Sequence, residues 1–378
     1  MSLHKKPVRV LQFPNSLNRR NGRMSVIMNV YRNLNRKEVQ FDFVVPKTAY
    51  TDYSEEILQL GGRIYWLPEN KSKNIYYIKK LIKQVLSNEN YQIVHYHATS
   101  PWGMCIGIAK KMEIPNRITH SHNTRFSSSF FKTIRNKIFS YSIPKNSTLR
   151  LACSTEAGDF LFKRLSFQNI KNVIDINKFA FNKECRTKIR NELSIDEDTL
   201  LIGQVGRLAP EKNHKFSLKV AKKLVDKNIK FKLVLLGDGI LDTTLKQKVT
   251  ELGLEDRIVF LGQRNNMNEY YSAMDIGILP SLYEGLPMVA IEAQCAGLHV
   301  LMSDKITKES NIGLGSFLNI NDDNVNEWCD SIGHVWKSSK NSTFSERKKI
   351  GITMAGAAGY DAKIESKKWE NLYRNLVK

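Results

Sequence analysis

Two glutamates in "PSLYEGLPMVAIEAQCAG" (280–297), Glu284 and Glu292, stand on either side of a Gly-Leu-Pro break. Glu284 immediately precedes Gly285 and Leu286, whereas Glu292 lies in a run of Met, Val, Ala and Ile, where an unpaired acid is costly to bury. Pro287, suited to a helix start, leaves Glu284 in a loop and puts Glu292 in the second turn of the helix that follows. Carboxylates accept hydrogen bonds from hydroxyl groups and a helix start attracts phosphate. The pair therefore suits a ligand with many hydroxyls and some phosphate. The competing reading, Glu284 as a cap and Glu292 on a solvated face, explains the apolar neighbours of Glu292 poorly.

A second group of residues carries positive charge. In "GQVGRLAPEKNHKF" (203–216) a buried strand ends at Gly206, and Arg207 and Lys212 follow before a helix. Both cations can converge with backbone N–H groups on a phosphate, although the GxxxxGK[ST] loop is absent and solvated loop cations are the plain alternative. "LLGDGIL" (235–241), with Gly237, and "VFLGQRNN" (259–266), with Gly262, are further glycine-bearing strand exits; alone, each reads as an ordinary turn. Asn21-Gly22 in "RRNGRMSV" (19–26) follows the first strand and leaves room for a phosphate. His95 and His97 end one strand, His120 and His122 the next, and period-two alternation puts each pair on one sheet face. No acid accompanies them at ligand spacing, so no metal is expected. One histidine of the second pair is expected to reach the site, with the others satisfying backbone groups.

The elements that must position these residues alternate regularly. Strands are predicted at 8–13, 40–45, 63–67, 92–97, 117–122 and 149–153, then at 200–207, 231–238, 257–262, 274–281 and 299–304, separated by stretches with helical apolar spacing. Repeated strand–helix alternation implies α/β architecture with parallel sheets covered on both faces. The polar segment "DINKFAFNKECRTKIRNELSIDED" (175–198) reads as the connection between two doubly wound, Rossmann-like domains in tandem, 1–174 and 175–360. Ligands in such sheets bind at the carboxyl ends of the strands, so a cleft faced by both domains is the expected site.

Composition narrows the class. The chain has 378 residues, 42% hydrophobic and 25% charged, as expected for a globular protein with two cores. No run approaches the length of a transmembrane helix, and "MSLHKKPVRVLQFP" lacks the apolar core of a secretory signal. Five widely spaced cysteines with no CxxC pair suggest free buried thiols in a reducing cytoplasm. The net charge of +21 is uneven: residues 1–170 carry +17 and the rest +4. The first half is thus expected to face something anionic, such as a phosphorylated lipid surface, nucleic acid or an acidic polymer, unless the excess is a general lysine bias.

"GRLAPEKN", "LLGDG", "FLG", "MDIGILPSLYEGLPMVAIEAQCAG" and "SDKITKE" together resemble glycosyltransferase family 4, of GT-B fold. "IVHYH", "RITHSHN" and "ACSTEAGDFLF" extend the likeness over nearly the whole chain, with bacterial capsular and exopolysaccharide transferases the nearest in character. The resemblance implies retaining transfer of a sugar from a nucleotide-diphosphate donor, UDP by preference, with no metal or other cofactor required. It assigns Arg207 and Lys212 to the donor diphosphate, Glu284 to donor-sugar hydroxyls with Gly285 and Leu286 beside it, and Glu292 to the ribose. Gly237 joins this donor group, the loop after Gly262 borders the base, and Gly22 approaches the diphosphate from the first domain. The active-site histidine maps to His120 or His122, with His120 preferred. The last helix, within 361–378, is expected to pack back on the first domain. Two departures stand out: "NGRM" (21–24) replaces Gly-Gly-Ala-Glu, and "NVID" (172–175) replaces Asn-Gly-Ile-Asp, where Val173 disfavours a positive φ.

On this reading the chain is a cytoplasmic enzyme at the inner face of the membrane, its basic half drawn to anionic lipid carrying a polyprenyl-diphosphate-linked acceptor. The same chemistry on a teichoic acid, glucan or protein acceptor is the alternative. A nucleic-acid-binding role is disfavoured, because no recognition helix, zinc finger or RNA-stacking motif accompanies the charge.

Overall fold

The computed structural model describes residues 6–19, 21–47, 52–72, 74–97, 100–126 and 130–378; the first five residues of the chain's opening stretch and position 20 of "RRNGRMSV" lie outside them. The chain divides into two compact units, residues 1–174 with 361–378, and residues 175–360.

In the first unit the described strands are β1 (Val8–Phe13), β2 (Val39–Pro46), β3 (Ile64–Leu67), β4 (Ile93–Tyr96), β5 (Asn116–Ser121), β6 (Leu149–Ala152) and β7 (Gln168–Asn169). They form one parallel sheet in the order β3-β2-β1-β4-β5-β6-β7. Strand alternation sorts the side chains onto two faces. Ile93 joins Val10, Phe41 and Phe43 in one core with the Gly22–Asn33 helix, whereas Val94 and Tyr96 join Leu11 and Phe13 against the Ile75–Asn88 and Met104–Lys111 helices. The C-terminal helix, Ala362–Asn375, belongs to the first of these cores through Trp369 and Tyr373. The chain re-enters the unit at a bridge between Ile174 and Asp361, where the Ala362 N–H donates to the Ile174 carbonyl at 2.9 Å. Val173 is fully buried there and has no positive φ, so the turn dispenses with glycine.

The second unit holds β8 (Leu200–Val205), β9 (Phe231–Leu236), β10 (Ile258–Gly262), β11 (Ile276–Leu279), β12 (Val300–Ser303) and β13 (Gly315–Leu318), again all parallel, in the order β10-β9-β8-β11-β12-β13. Both sheets are doubly wound, with the order reversing between β1 and β4 and between β8 and β11; such switch points open a crevice at the strands' carboxyl ends. Two strands escaped the sequence reading: β7, two exposed polar residues, and β13, a half-buried edge that follows a loop.

The 175–198 segment is not a connection; it is folded into the body of the second unit. The Lys183–Glu192 helix carries Arg186 and Arg190 one turn apart, and both guanidinium groups converge on Asp275, at 2.9 and 3.0 Å. Glu197 adds a second acid to Arg186 at 2.7 Å. Within the charged composition that reads as a solvated linker, Arg186 and Arg190 are therefore buried in an ion network with Asp275 at the start of β11, while Glu197 and the other charges of the segment face water. Asp275→Ala leaves two buried cations short of their shared acid, and breaking such a pair costs about 3–5 kcal/mol. Urea unfolding is expected to show that loss; a change within about 0.5 kcal/mol, typical of surface substitutions, would show the network to be incidental.

Candidate functional site

The second unit gathers its chemistry at the β8–β11 switch point. β8 ends at Val205, and a short 3-10 turn, Pro210–Lys212, precedes the His214–Asp226 helix. Asn213 between them is left-handed (φ 53°), a conformation asparagine tolerates, and it sends the chain from the turn into the helix. The Lys212 stem lies over Gly206, where an added Cβ would sit 3.1 Å from Lys212 Cε. Behind it, the fully buried Gln204 donates to the Lys212 carbonyl at 2.8 Å and accepts from Ser217 Oγ at 2.7 Å.

β11 ends at Leu279, and the loop to the Met288–Cys295 helix carries Glu284, Gly285 and the buried Leu286; Pro287 is the residue just before the first turn. This loop is fastened to the β8 loop twice. The Leu282 N–H donates to the Glu211 carbonyl at 2.9 Å, and Lys212 Nζ forms an ion pair with Glu284 Oε1. Both side chains of the pair are largely buried (13% and 14% exposed), and Ser281 Oγ donates to the same Glu284 oxygen at 2.9 Å. Arg207 pairs with Glu211 but keeps its side chain 76% exposed, a cation presented to solvent beside the pair.

The three glycine exits that look unremarkable singly are neighbours. The Gly206 N–H donates to Leu236 at 2.9 Å, and the Gly237 N–H donates to Gly262 at 2.8 Å. A Cβ on Gly237 would come within 2.2 Å of the Gly206 carbonyl oxygen, and its φ of 138° also favours glycine. The carboxyl ends of β8, β9 and β10 thus form a bare-backbone ledge beside Arg207 and Lys212.

Glu292, half-buried in the second turn of its helix, accepts from the Tyr271 hydroxyl at 3.0 Å. Burial pushes its carboxyl up to about 7, opposed by the Tyr271 hydrogen bond and by the positive charge of Lys178. Tyr271, fully interior, is itself pushed well above the usual range by burial and by Glu292. Burial thus leaves this carboxyl group ready to take either protonation state near neutral pH.

In the first unit His95, His97, His120 and His122 form a column on the face that carries Trp369 and Tyr373. His95 Nδ1 bonds the Tyr373 hydroxyl at 2.9 Å; His97 bonds Gln12 at 2.7 Å and His122 at 3.2 Å. His95 stacks on His97, and His120 lies tilted against His122, each pair with 3.9 Å between ring centroids. The expectation that the spare histidines satisfy backbone groups is corrected: among the described contacts the rings bond Gln12, Tyr373 and one another. His120 is 1% exposed, stacked near Trp369, and burial pushes its imidazole down to about 3. His122, just past the end of β5, is the outermost, at 8%. Geometry favours His122, rather than the preferred His120, as the ring nearest the strand's carboxyl end, because His120 is roofed by the C-terminal helix.

Ligand atoms of His95, His97 and His120 lie within 4.8 Å of one another, close enough to share an ion. However, both ring nitrogens of His97 are already engaged, one with Gln12 and the other with His122. Gly22 opens the Gly22–Asn33 helix with nothing within 4 Å of a notional Cβ, which leaves its backbone approachable. Beside it Arg23 donates to the His97 carbonyl at 2.9 Å, linking the β1 exit to the β4 exit. Sequence reasoning missed Arg23, Gln204, Tyr271 and Ser281. Gln204 alone left a signal, a polar residue in an otherwise apolar strand, which must find partners once buried.

The ion pair makes a direct prediction about stability. Lys212→Met or Glu284→Met alone leaves an opposite charge buried, whereas the double substitution removes both. Urea unfolding is expected to place each single variant below the double; singles as stable as the wild type would mean that the pair is solvated.

Comparison with known proteins agrees with this geometry. The model for glycosyl transferases group 1 matches residues 185–313, and that for glycosyltransferase family 4 matches residues 21–178. The putative glycosyltransferase EpsF of Bacillus subtilis is 33% identical over 363 residues, covering 94% of this chain and 93% of that protein. A UDP-Gal:alpha-D-GlcNAc-diphosphoundecaprenol alpha-1,3-galactosyltransferase of Escherichia coli is 30% identical over 273 residues, 67% of this chain and 68% of its own. The crystal structure of Anabaena Alr3699/HepE in complex with UDP superposes with a TM-score of 0.75 at 16% identity, covering 97% of this chain and all of that one. The chain belongs to glycosyltransferase family 4, its two doubly wound units have the GT-B fold, and it is a glycosyltransferase.

Proposed function

We propose that the protein moves a hexosyl or N-acetylhexosaminyl group from a UDP-sugar to a lipid-linked saccharide, with retention at the anomeric carbon, in the building of a surface polysaccharide. The observation that carries the donor half is the Lys212–Glu284 pair on the glycine ledge of the second unit. A diphosphate draws Lys212 and the exposed Arg207, which offset the charge that develops on the leaving group as the C1–O bond breaks. Glu284, freed from Lys212, accepts donor-sugar hydroxyls, with the Gly285 and Leu286 backbone beside it. Glu292 takes the ribose hydroxyls, and the loop after Gly262 borders the base. Gly22, in the first unit, keeps open space around its backbone, the room that a phosphate contact needs. No metal is needed in this scheme, because the two cations and the helix start supply the positive field.

The acceptor half rests on relatives. The E. coli galactosyltransferase is named for a diphosphoundecaprenol-linked acceptor, and HepE was crystallised with UDP. The basic bias of residues 1–170 fits an acceptor that carries a diphosphate and sits in an anionic leaflet. His122 is assigned to the reacting sugar or acceptor, as a neutral hydrogen-bonding group rather than a covalent nucleophile, since burial and the neighbouring histidines hold its pKa well below the usual value.

Incubation with a panel of UDP-, GDP- and ADP-sugars and a polyprenyl-diphosphate saccharide is expected to give product with one UDP-sugar, its new linkage having the donor's anomeric configuration by NMR. His122→Ala is expected to lower kcat about a hundredfold with little change in donor KM, and His120→Ala to do less. Inverted product would overturn the retaining assignment, and an unimpaired His122→Ala enzyme would return the role to His120.

A further inference from the structure

The Phe130–Ser140 helix of the first unit is built inside out. It turns small polar residues inward: Asn136 is 6% exposed and Ser140 3%. Asn136 is tied down by donating to the Phe126 carbonyl at 3.1 Å. Its large apolar residues point to solvent, with Phe130 72% exposed, Phe131 82%, Ile134 45% and Ile138 68%, followed by Tyr141 at 78%. At 100° per residue these five positions fall within about 100° of one another. They form one continuous stripe, and they are five of the thirteen large apolar side chains exposed among the described residues. A globular protein ordinarily faces such a stripe toward its core, and exposed apolar patches of this kind mark interaction surfaces.

Charge says what covers it. From residue 114 to residue 155 the sequence contains no Asp or Glu but seven Lys and Arg. Arg125, Arg135, Lys137 and Lys145 of this run are exposed, and the Lys145 ammonium stands 6.0 Å from the Tyr141 ring centre. An apolar stripe flanked by cations and free of acids is the pattern of a helix that lies in the interface of an anionic bilayer, with Phe and Ile among the acyl chains and Lys and Arg at the headgroups. A protein partner would meet the same stripe, but an acid-free stretch of sequence of this length matches a continuous negative surface better than the mixed charges of a protein rim.

We infer that the Phe130–Ser140 helix with Tyr141 is a membrane-insertion face for anionic lipid. Its physics is independent of sugar transfer, although its purpose rests on the lipid-linked acceptor proposed above. The helix begins eight residues after His122, so docking holds the carboxyl end of β5 within about 30 Å of the headgroups, the reach of the intervening chain. Insertion adds an apolar, salt-resistant component to the charge-driven attraction of the basic half. Charge reversal and apolar deletion therefore act on different terms.

The test uses the full-length chain and needs no nucleotide sugar. Vesicles of phosphatidylglycerol and phosphatidylcholine, and vesicles of phosphatidylcholine alone, are sedimented with the wild type and with the triple variant Phe131→Gln/Ile134→Gln/Ile138→Gln. Glutamine keeps the helix propensity of the exposed face. The wild type is expected on the anionic vesicles, with part of the binding surviving 0.5 M salt, roughly a twofold cut in Debye length from physiological. The variant is expected to partition at least tenfold less, with an unchanged melting temperature and unchanged transfer to a short water-soluble acceptor. Equal retention of both proteins would overturn the insertion face while leaving charge docking in place. No retention of either would overturn both. A wild-type dimer that the variant dissociates, without vesicle binding, would assign the stripe to a second copy of this chain instead. Loss of transfer to the soluble acceptor in the wild type itself would count against the transferase scheme and leave the vesicle result standing.

Discussion

Lys212 and Glu284 hold together the two loops that flank the switch point of the second sheet, and the rest of the candidate donor site is arranged around that contact. Gly206 leaves room for the Lys212 stem, Gln204 and Ser217 fix its backbone from beneath, and the Leu282 N–H repeats the tie between the loops. An ion pair in a nearly buried position is sensitive to what approaches it, because a lost partner costs more there than in water. A ligand that brings both a polyanion and a set of hydroxyls offers each member a replacement at once. A diphosphate alone, or a neutral sugar alone, leaves one charge unanswered. Under the proposed function, that asymmetry would favour a nucleotide sugar over either of its parts.

The histidine column of the first unit works by the opposite device. Four imidazoles are buried together with no acid among their described contacts, and burial together with mutual repulsion drives them to the neutral state. A column of neutral rings carries a hydrogen bond between Tyr373 and His95, and hydrogen bonds from Gln12 through His97 to His122, without adding charge. The orientation of the outermost ring is therefore already set. The C-terminal helix takes part directly, since Trp369 and Tyr373 wall the column on the face where the chain returns to the first unit.

Much of this was legible in the sequence, and the exceptions have identifiable causes. Alternating strands and helices sufficed for two doubly wound units, and the spacing around Pro287 placed Glu284 in a loop and Glu292 in a helix. The convergence of Gly206, Gly237 and Gly262 was not legible, because adjacency follows strand order and these residues are separated along the chain by whole helices. Residues 175–198 misled for a different reason: composition cannot distinguish charges that face water from charges that face each other, and Arg186, Arg190 and Asp275 are of the second kind. Period-two alternation put His120 and His122 on one face but could not say which lies under a helix contributed from the far end of the chain. The outward apolar stripe of Phe130–Ser140 has the periodicity of a core helix, and only burial reveals that it faces the other way.

The central claim is that the second unit is a nucleotide-diphosphate-sugar site whose inner wall is Glu292. In the free protein burial raises that carboxyl to about 7, so it is mostly protonated at pH 6 and mostly ionised at pH 8. Ribose hydroxyls donate best to the ionised form, so binding expels the proton and strengthens as pH rises through 7. Calorimetric titration of UDP at pH 6 and pH 8 into the wild type and Glu292→Gln tests this most directly, since the ligand's own titration cancels between the two proteins. The account predicts that the gain in affinity from pH 6 to pH 8 is about tenfold larger in the wild type than in the variant. Equal gains in the two proteins would contradict it.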